Sequence, residues 1–336
     1  MKKIIVFGAT GTVGAYASLR LREDGFEVVA VGSRASDNGF FAQYGIEYIS
    51  VDIRRKDAFR ALPKENVYGI VQLAAMLPAR MKGYDPQVYI DINVTGMLNV
   101  LQYAAEVSAQ RVLYSQSISD VANLVGTTVP IPEDSPSGFP ENNDHSVYAI
   151  AKNAASDLLR HYSARCGFNH YILRFPNIYL YHPNPYYYVD GVKRMEGYRQ
   201  MIYMALKGEP ISIWGDPSRV RDMVYVKDCT QLISLCMSVE NAPSGVYNVG
   251  TGVGTSMEDQ IRGIVEVFSP KDHPSPILYA PDKPDSPQYI FDITKGRTLL
   301  GYRPKYGYLD YLRDFKEEML KERFALLWGK EKDYVL

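Results

Sequence analysis

The chain has 336 residues, 46% of them apolar and 22% charged, with a formal net charge of −1. That balance suits one large or two ordinary globular domains and gives no basic field for nucleic acid or an anionic membrane. Any anionic ligand must therefore be held by individually placed cations. No apolar run approaches the ~20 residues of a membrane span. Ile4–Phe7 after Lys2-Lys3 stops at Gly8, too short for a secretory leader, and reads as a first buried strand. Cys166, Cys229 and Cys236 lack metal-ligand spacing. They are expected to be reduced and buried in a cytoplasmic protein without a metal.

In chain order the elements alternate. Lys3–Phe7 reads as a strand, Gly14–Asp24 as a helix, and Glu27–Val31, Tyr48–Val51, Gly69–Leu73 and Arg111–Tyr114 as further strands. Helical periodicity covers Asn93–Ala105 and Val147–Ala164, and Tyr171–Phe175 reads as a sixth strand. This alternation predicts an α/β fold: a doubly wound parallel sheet of Rossmann type, covered on both faces. After Phe175 the composition changes. Pro176–Tyr188 and Pro270–Pro287 are irregular and Pro-rich, with a short helix expected over Asp292–Leu300. Residues 1–175 are read as a dinucleotide-binding domain, to which segments near 222–250 return. Residues 176–336 are read as a smaller mixed α/β substrate lobe.

Gly8-Ala-Thr-Gly11-Thr-Val-Gly14 joins the first strand to the first helix. Glycines there let the backbone approach a pyrophosphate seated on the helix N-terminus, with Thr10, Thr12 and Val13 completing the loop. The carboxylate that usually ends the second strand to grip the ribose of NAD is missing. Ser33 and Arg34 stand there instead. They are read as holding a 2′-phosphate, which favours NADP over NAD; the alternative is a solvated arginine with NAD bound. Asp52, with Ile53 beside it, follows the third strand. It is placed either to meet the adenine or to cap a loop.

Tyr148-Ala-Ile-Ala-Lys152 puts a phenol and an ammonium on one helix face. The ammonium is expected to lower the phenol's pKa, so that a tyrosinate takes the proton from a hydroxyl as hydride leaves the same carbon. Ser117 follows the fifth strand, at the carboxyl end of the sheet where ligands bind in such folds.

With Leu73-Ala74-Ala75, Asn93, Leu173-Arg-Phe-Pro-Asn-Ile-Tyr179, Arg221-Asp-Met-Val-Tyr-Val-Lys-Asp228, Val246-Tyr-Asn-Val-Gly-Thr-Gly252 and Asp292-Ile-Thr-Lys295, the chain resembles the extended short-chain dehydrogenase/reductase family. The likeness is to its nucleotide-sugar epimerase/dehydratase branch, over nearly the whole length. The resemblance implies Ser117, Tyr148 and Lys152 as the catalytic set. It implies Leu73, Ala74, Ala75, Asn93 and Pro176 as cofactor-lining residues, and Asn177, Arg221 and Lys283 as contacts to the substrate diphosphate.

Dehydratases of this family carry acidic residues after the active-site Ser or Thr, where this chain has Ile118 and Ser119. The resemblance therefore points to an NAD(P)-dependent nucleotide-sugar 4-epimerase working as a homodimer through a 4-keto intermediate. The alternative is an NADPH-dependent 4-ketoreductase of GDP-fucose-synthase type, suggested by Tyr148–Lys152 and Lys283-Pro-Asp285, with His182 a weak candidate acid. A non-catalytic dinucleotide sensor would not need Ser117, Tyr148 and Lys152 together. Tyr186, Tyr187 and Tyr188 are read as stacking on a base or sugar, or as packing.

Overall fold

The structure is a computed structural model and describes residues 1–189 and 191–335. Its centre is a parallel sheet of seven strands. They are β1 (Lys3–Phe7), β2 (Glu27–Gly32), β3 (Glu47–Ser50), β4 (Val67–Gln72), β5 (Arg111–Ser117), β6 (Asn169–Phe175) and a strand at Gly245–Asn248. The strand order is 3-2-1-4-5-6, and 245–248 pairs in parallel with the outer edge of β6. The order reverses between β1 and β4, so the ligand crevice of such a sheet opens at their carboxyl ends.

Residues buried on both faces read as continuous apolar runs in a parallel sheet, and Ile4–Phe7 are fully buried. Apolar cores lie on the two sides of the sheet. One gathers Ile5, Phe7, Met97 and Leu101; the other gathers Ile4, Val6, Leu19 and Cys229. Helix α1 (Thr12–Glu23) and the 226–238 helix cover one face; α3 (Gly96–Glu106) and α4 (Asp144–Cys166) cover the other.

Some boundaries differ from the sequence reading. The helix expected over Asn93–Ala105 is preceded by α2 (Pro86–Tyr89) and a π-turn, Ile90–Thr95, and regular α3 begins only at Gly96. Tyr186–Tyr188, expected irregular, begin an antiparallel hairpin, Tyr186–Val189 with Val192–Met195. Cys229 and Cys236 are buried, but Cys166, expected buried, is exposed in the last turn of α4, beyond the face packed on the sheet. Among the described residues no helix is long and apolar enough to cross a membrane.

Candidate active site

The Gly-rich turn runs from β1 into α1. Gly8 adopts φ +79°, and a Cβ there would lie 2.6 Å from the Ala74 amide nitrogen. A Cβ at Gly14 would overlap the Gly8 carbonyl. The two glycines thus let the turn lie directly against the start of α1 and the strand-β4 loop. No side chain caps α1 at Gly11, so its first amides face outward, an arrangement that suits an anion. These residues fit a dinucleotide's pyrophosphate.

The loop after β4, Leu73–Met76, is pinned by Asn93. Its Oδ1 accepts the Met76 amide at 2.8 Å and its Nδ2 donates to the Met76 carbonyl at 3.1 Å. Asn93 sits within the π-turn, a distortion that often accompanies a functional position.

At the end of β5 the structure brings Ser117, Tyr148 and Lys152 together. Ser117 Oγ donates to Ser119 Oγ at 3.1 Å and is hydrogen-bonded to the Tyr148 phenol. Lys152 lies one turn beyond Tyr148 on α4, with Nζ 4.2 Å from the Tyr114 ring centre, a cation–π contact. Tyr148 and Lys152 are 5% and 2% exposed, and that burial decides their electrostatics. It pushes the phenol up to about 12, against the pull of Ser117, with the Asp120 charge adding to the rise. It also brings Lys152 down to about 7, while Asp120 raises it. The expected lowering of the phenol is thus not found, because desolvation penalises phenolate and ammonium alike.

Three positioning contacts escaped the sequence reading. The Gln116 amide donates to Asn153 Oδ1 (2.9 Å) and Ser156 Oγ (3.1 Å), and Gln116 Oε1 accepts the Ser117 amide (2.8 Å). This one side chain ties β5 to α4 beside the Ser–Tyr–Lys set. Asp120 and Arg174 form a buried ion pair at 3.0 Å. Arg174 also donates to Asn248 Oδ1 at 3.0 Å, which draws in the 245–248 strand. An Asp three residues beyond Ser117 and an Arg in β6 were visible signals, but their meeting depends on strand pairing.

A second cluster lies in the other lobe. Arg221, on strand Val220–Asp222, reaches the Tyr179 hydroxyl at 3.3 Å and the Pro287 carbonyl at 3.4 Å. Arg219 faces the same loop and donates to the Ser286 carbonyl at 3.2 Å. Asn177 and Lys283 are exposed near these elements, and the Lys283 amide donates to the Ala280 carbonyl. Arg219, just before that strand and two residues from Arg221, was not singled out from sequence.

Other expected cofactor contacts are engaged within the chain. Asp52 accepts bonds from the Arg54 guanidinium, which holds its carboxyl below the usual range. Arg34 donates to the Leu327 carbonyl, and Ser33 is exposed. His182 is buried against Trp328, with ring centres 4.6 Å apart, and its Nδ1 accepts the Asn184 amide at 3.0 Å. Burial holds it down to about 3, so it is neutral. Tyr186 carries Lys193 Nζ at 3.9 Å over its ring, a packing role within the hairpin.

A model of the NAD dependent epimerase/dehydratase family matches residues 4–250. A UDP-glucose 4-epimerase of Lactobacillus helveticus is 24% identical over 323 residues, covering 92% of this chain and 94% of that protein. A UDP-glucose 4-epimerase of Thermotoga maritima, solved with UDP-glucose, superposes with TM-score 0.75 at 23% identity, covering 95% of this chain and 99% of that one. A UDP-glucuronic acid 4-epimerase of Bacillus cereus, solved with NAD, gives TM-score 0.70 at 20% identity, covering 94% and 99%. At such identities the solved structures establish likeness of fold.

Proposed function

The chain belongs to the NAD dependent epimerase/dehydratase family, and we propose that it is an NAD(P)-dependent nucleotide-sugar 4-epimerase. One observation carries the reading: Ser117, Tyr148 and Lys152 converge in a dry corner at the carboxyl end of the sheet, with Ile118 and Ser119 where a dehydratase needs acids.

The Gly8–Gly14 turn and the α1 N-terminus hold the dinucleotide, whose nicotinamide, when bound, accepts and returns the hydride. Once Tyr148 has passed its phenolic proton to neutral Lys152, the phenolate takes the proton from the sugar hydroxyl and gives it back to the same oxygen, so no other acid is consumed. Ser117 hydrogen-bonds that oxygen and holds the phenol in line. Lys152, pulled down to about 7, is partly charged near neutrality and gains charge as negative charge develops on Tyr148. Arg219 and Arg221 grip the diphosphate, because a guanidinium offers a planar fork to phosphate oxygens. Lys283 adds a charge from the adjoining exposed loop. The ketoreductase alternative loses support in His182, which is packed and neutral. The same reading carries a homodimer working in the cytoplasm, where the unpaired cysteines stay reduced.

The test is incubation of the purified chain with UDP-, GDP- and dTDP-linked hexoses and hexuronates, followed by NMR of the sugar. Inversion at C4 in at least one, without net consumption of dinucleotide, is expected. A parallel incubation supplies a nucleotide-linked 4-keto sugar with NADPH; its net reduction, with none of the other sugars inverted, would sink the epimerase assignment.

A further inference from the structure

We propose that Asp120 is a positioning residue for the epimerisation: held as a carboxylate by Arg174, it is the counter-charge that lets the enclosed Lys152 hold the proton taken from Tyr148. The inference rests on the roles given to Tyr148 and Lys152 above.

The placement follows from the turn that leaves β5. Ile118–Leu124 forms a 3₁₀ turn with Ser117 as its cap, so Asp120 stands three residues beyond the reacting hydroxyl. It is 6% exposed. Its backbone carbonyl accepts the Gly138 amide at 2.7 Å and Ser137 Oγ at 3.1 Å. Ser137 Oγ in turn accepts Asn153 Nδ2 at 2.8 Å. Asn153 directly follows Lys152 on α4, so the turn and the lysine are held to one another through two side chains. The carboxylate is oriented as well. Arg174 Nε donates to Asp120 Oδ1 at 3.0 Å, and its Nη2 to Oδ2 at 3.2 Å. Arg174 Nη1 is occupied by the Pro132 and Glu133 carbonyls and by Asn248 Oδ1. The guanidinium is thus fixed from both edges, and its charge keeps the acid ionised.

An ammonium taken out of water needs an anion nearby, and in a dry corner that anion acts with little screening. The other neighbours of the pair do not supply it. From β5, Lys152 meets the Tyr114 ring; from α2, Tyr89 packs on Tyr148. Asp91 of the π-turn accepts a bond from Gln87, and Arg80 is exposed. Among the described residues Asp120 is the charge that acts on both Tyr148 and Lys152. Arg174, and Arg160 further along α4, act on Asp120 itself. When the phenolic proton passes from Tyr148 Oη to Lys152 Nζ, the corner holds one cation beside two anions, the tyrosinate and the Asp120 carboxylate. The carboxylate raises the proton affinity of both partners and so sets the pH at which the pair gives up its first proton.

The test titrates Lys152 in the full chain, with neither substrate nor dinucleotide added. Lysine labelled with carbon-13 at Cε is followed by NMR, and Lys152→Met identifies the Lys152 signal by its loss. The wild-type midpoint should lie near the value of about 7 that burial imposes. Asp120→Asn should move it down by about one unit, a roughly tenfold weaker hold on the proton. Asp120→Glu, which keeps the charge, should recover at least half of that shift. An unpaired Arg174 pushes the same way as the lost carboxylate, so Asp120→Asn is also combined with Arg174→Met. The double variant leaves no buried unpaired guanidinium and should still titrate below the wild type. A double-variant midpoint at or above that of the wild type overturns the inference. With a nucleotide sugar that the wild type inverts, the acid limb of kcat/KM in Asp120→Asn should move down with the Lys152 midpoint. A slower variant with an unmoved limb marks a purely structural role and overturns the inference too. If no sugar is inverted, the epimerase reading fails, and the titration alone decides whether Asp120 governs Lys152.

Discussion

Two corners of the molecule handle positive charge in opposite ways. At the end of β5, Lys152 is fully enclosed; burial pulls it down to about 7 and pushes its neighbour Tyr148 up to about 12. Near neutral pH Tyr148 therefore rests as the phenol, and Lys152 is only partly charged. In the second lobe Arg221 is half-buried, yet it stays charged and shares its donors with the Tyr179 hydroxyl and the Pro287 carbonyl at 3.3 and 3.4 Å. A lysine or a phenol escapes desolvation by changing its protonation; a guanidinium cannot, and must find acceptors. The long Arg221 contacts are weak and exchangeable. The lysine corner suits proton transfer, and the arginine corner suits holding an anion.

The largest test of this contrast removes the phenol. Tyr148→Phe keeps the ring and deletes the ionisable hydroxyl, so turnover should fall on the order of 10²–10⁴-fold. NAD(P) binding, measured by calorimetry, should persist. Near-normal turnover would place proton transfer elsewhere.

Lys152→Met probes the dry corner through stability. The folded-state pKa of about 7 lies below the ordinary 10.5. Between those values the unfolded chain binds a proton that the folded chain does not, so stability rises with pH across pH 7–10 and is lost as pH falls through that window. The slope reaches up to about 1.4 kcal/mol per pH unit. Methionine is neutral in both states, and urea melts of the variant at pH 7, 8.5 and 10 should show that increment gone. Parallel slopes in variant and wild type would mean that Lys152 keeps its charge when buried.

The arginine corner should respond more mildly and only toward the anion. Arg221→Ala should weaken nucleotide-sugar binding by about 1.5–3 kcal/mol, with Arg221→Lys intermediate, because the charge survives but the fork does not. Calorimetry should find NAD(P) affinity unchanged in both. A matching loss for NAD(P) would show that the corner supports the fold and not the substrate. Ser117→Ala, a lost buried hydrogen bond of about 1–3 kcal/mol, should slow turnover less than Tyr148→Phe.

What the sequence revealed follows the same physics. The strands were legible because a sheet buried on both faces demands unbroken apolar runs such as Ile4–Phe7. Tyr148 and Lys152 were legible because their neighbourhood is set by helical spacing. The sign of the Tyr148 shift was not, since it depends on how completely α4 is covered. The role of Gln116 was not legible, because its partners Asn153 and Ser156 come from α4. Arg34 invited a phosphate because its actual acceptor, Leu327, stands 293 residues away.

That distance is nearly matched by another. Trp328 closes on Thr10 across 318 residues. At about 5–20 residues per second, a ribosome delivers Trp328 roughly 15–60 s after Thr10. Until then Tyr16 and Phe40 of the nascent first lobe lack the Phe324 ring that covers them both. Vectorial synthesis thus leaves the dinucleotide's doorway among the late parts of the protein to be finished. A ribosome stalled in the second lobe releases a sheet with a bare aromatic patch, a surface that chaperones and proteases recognise.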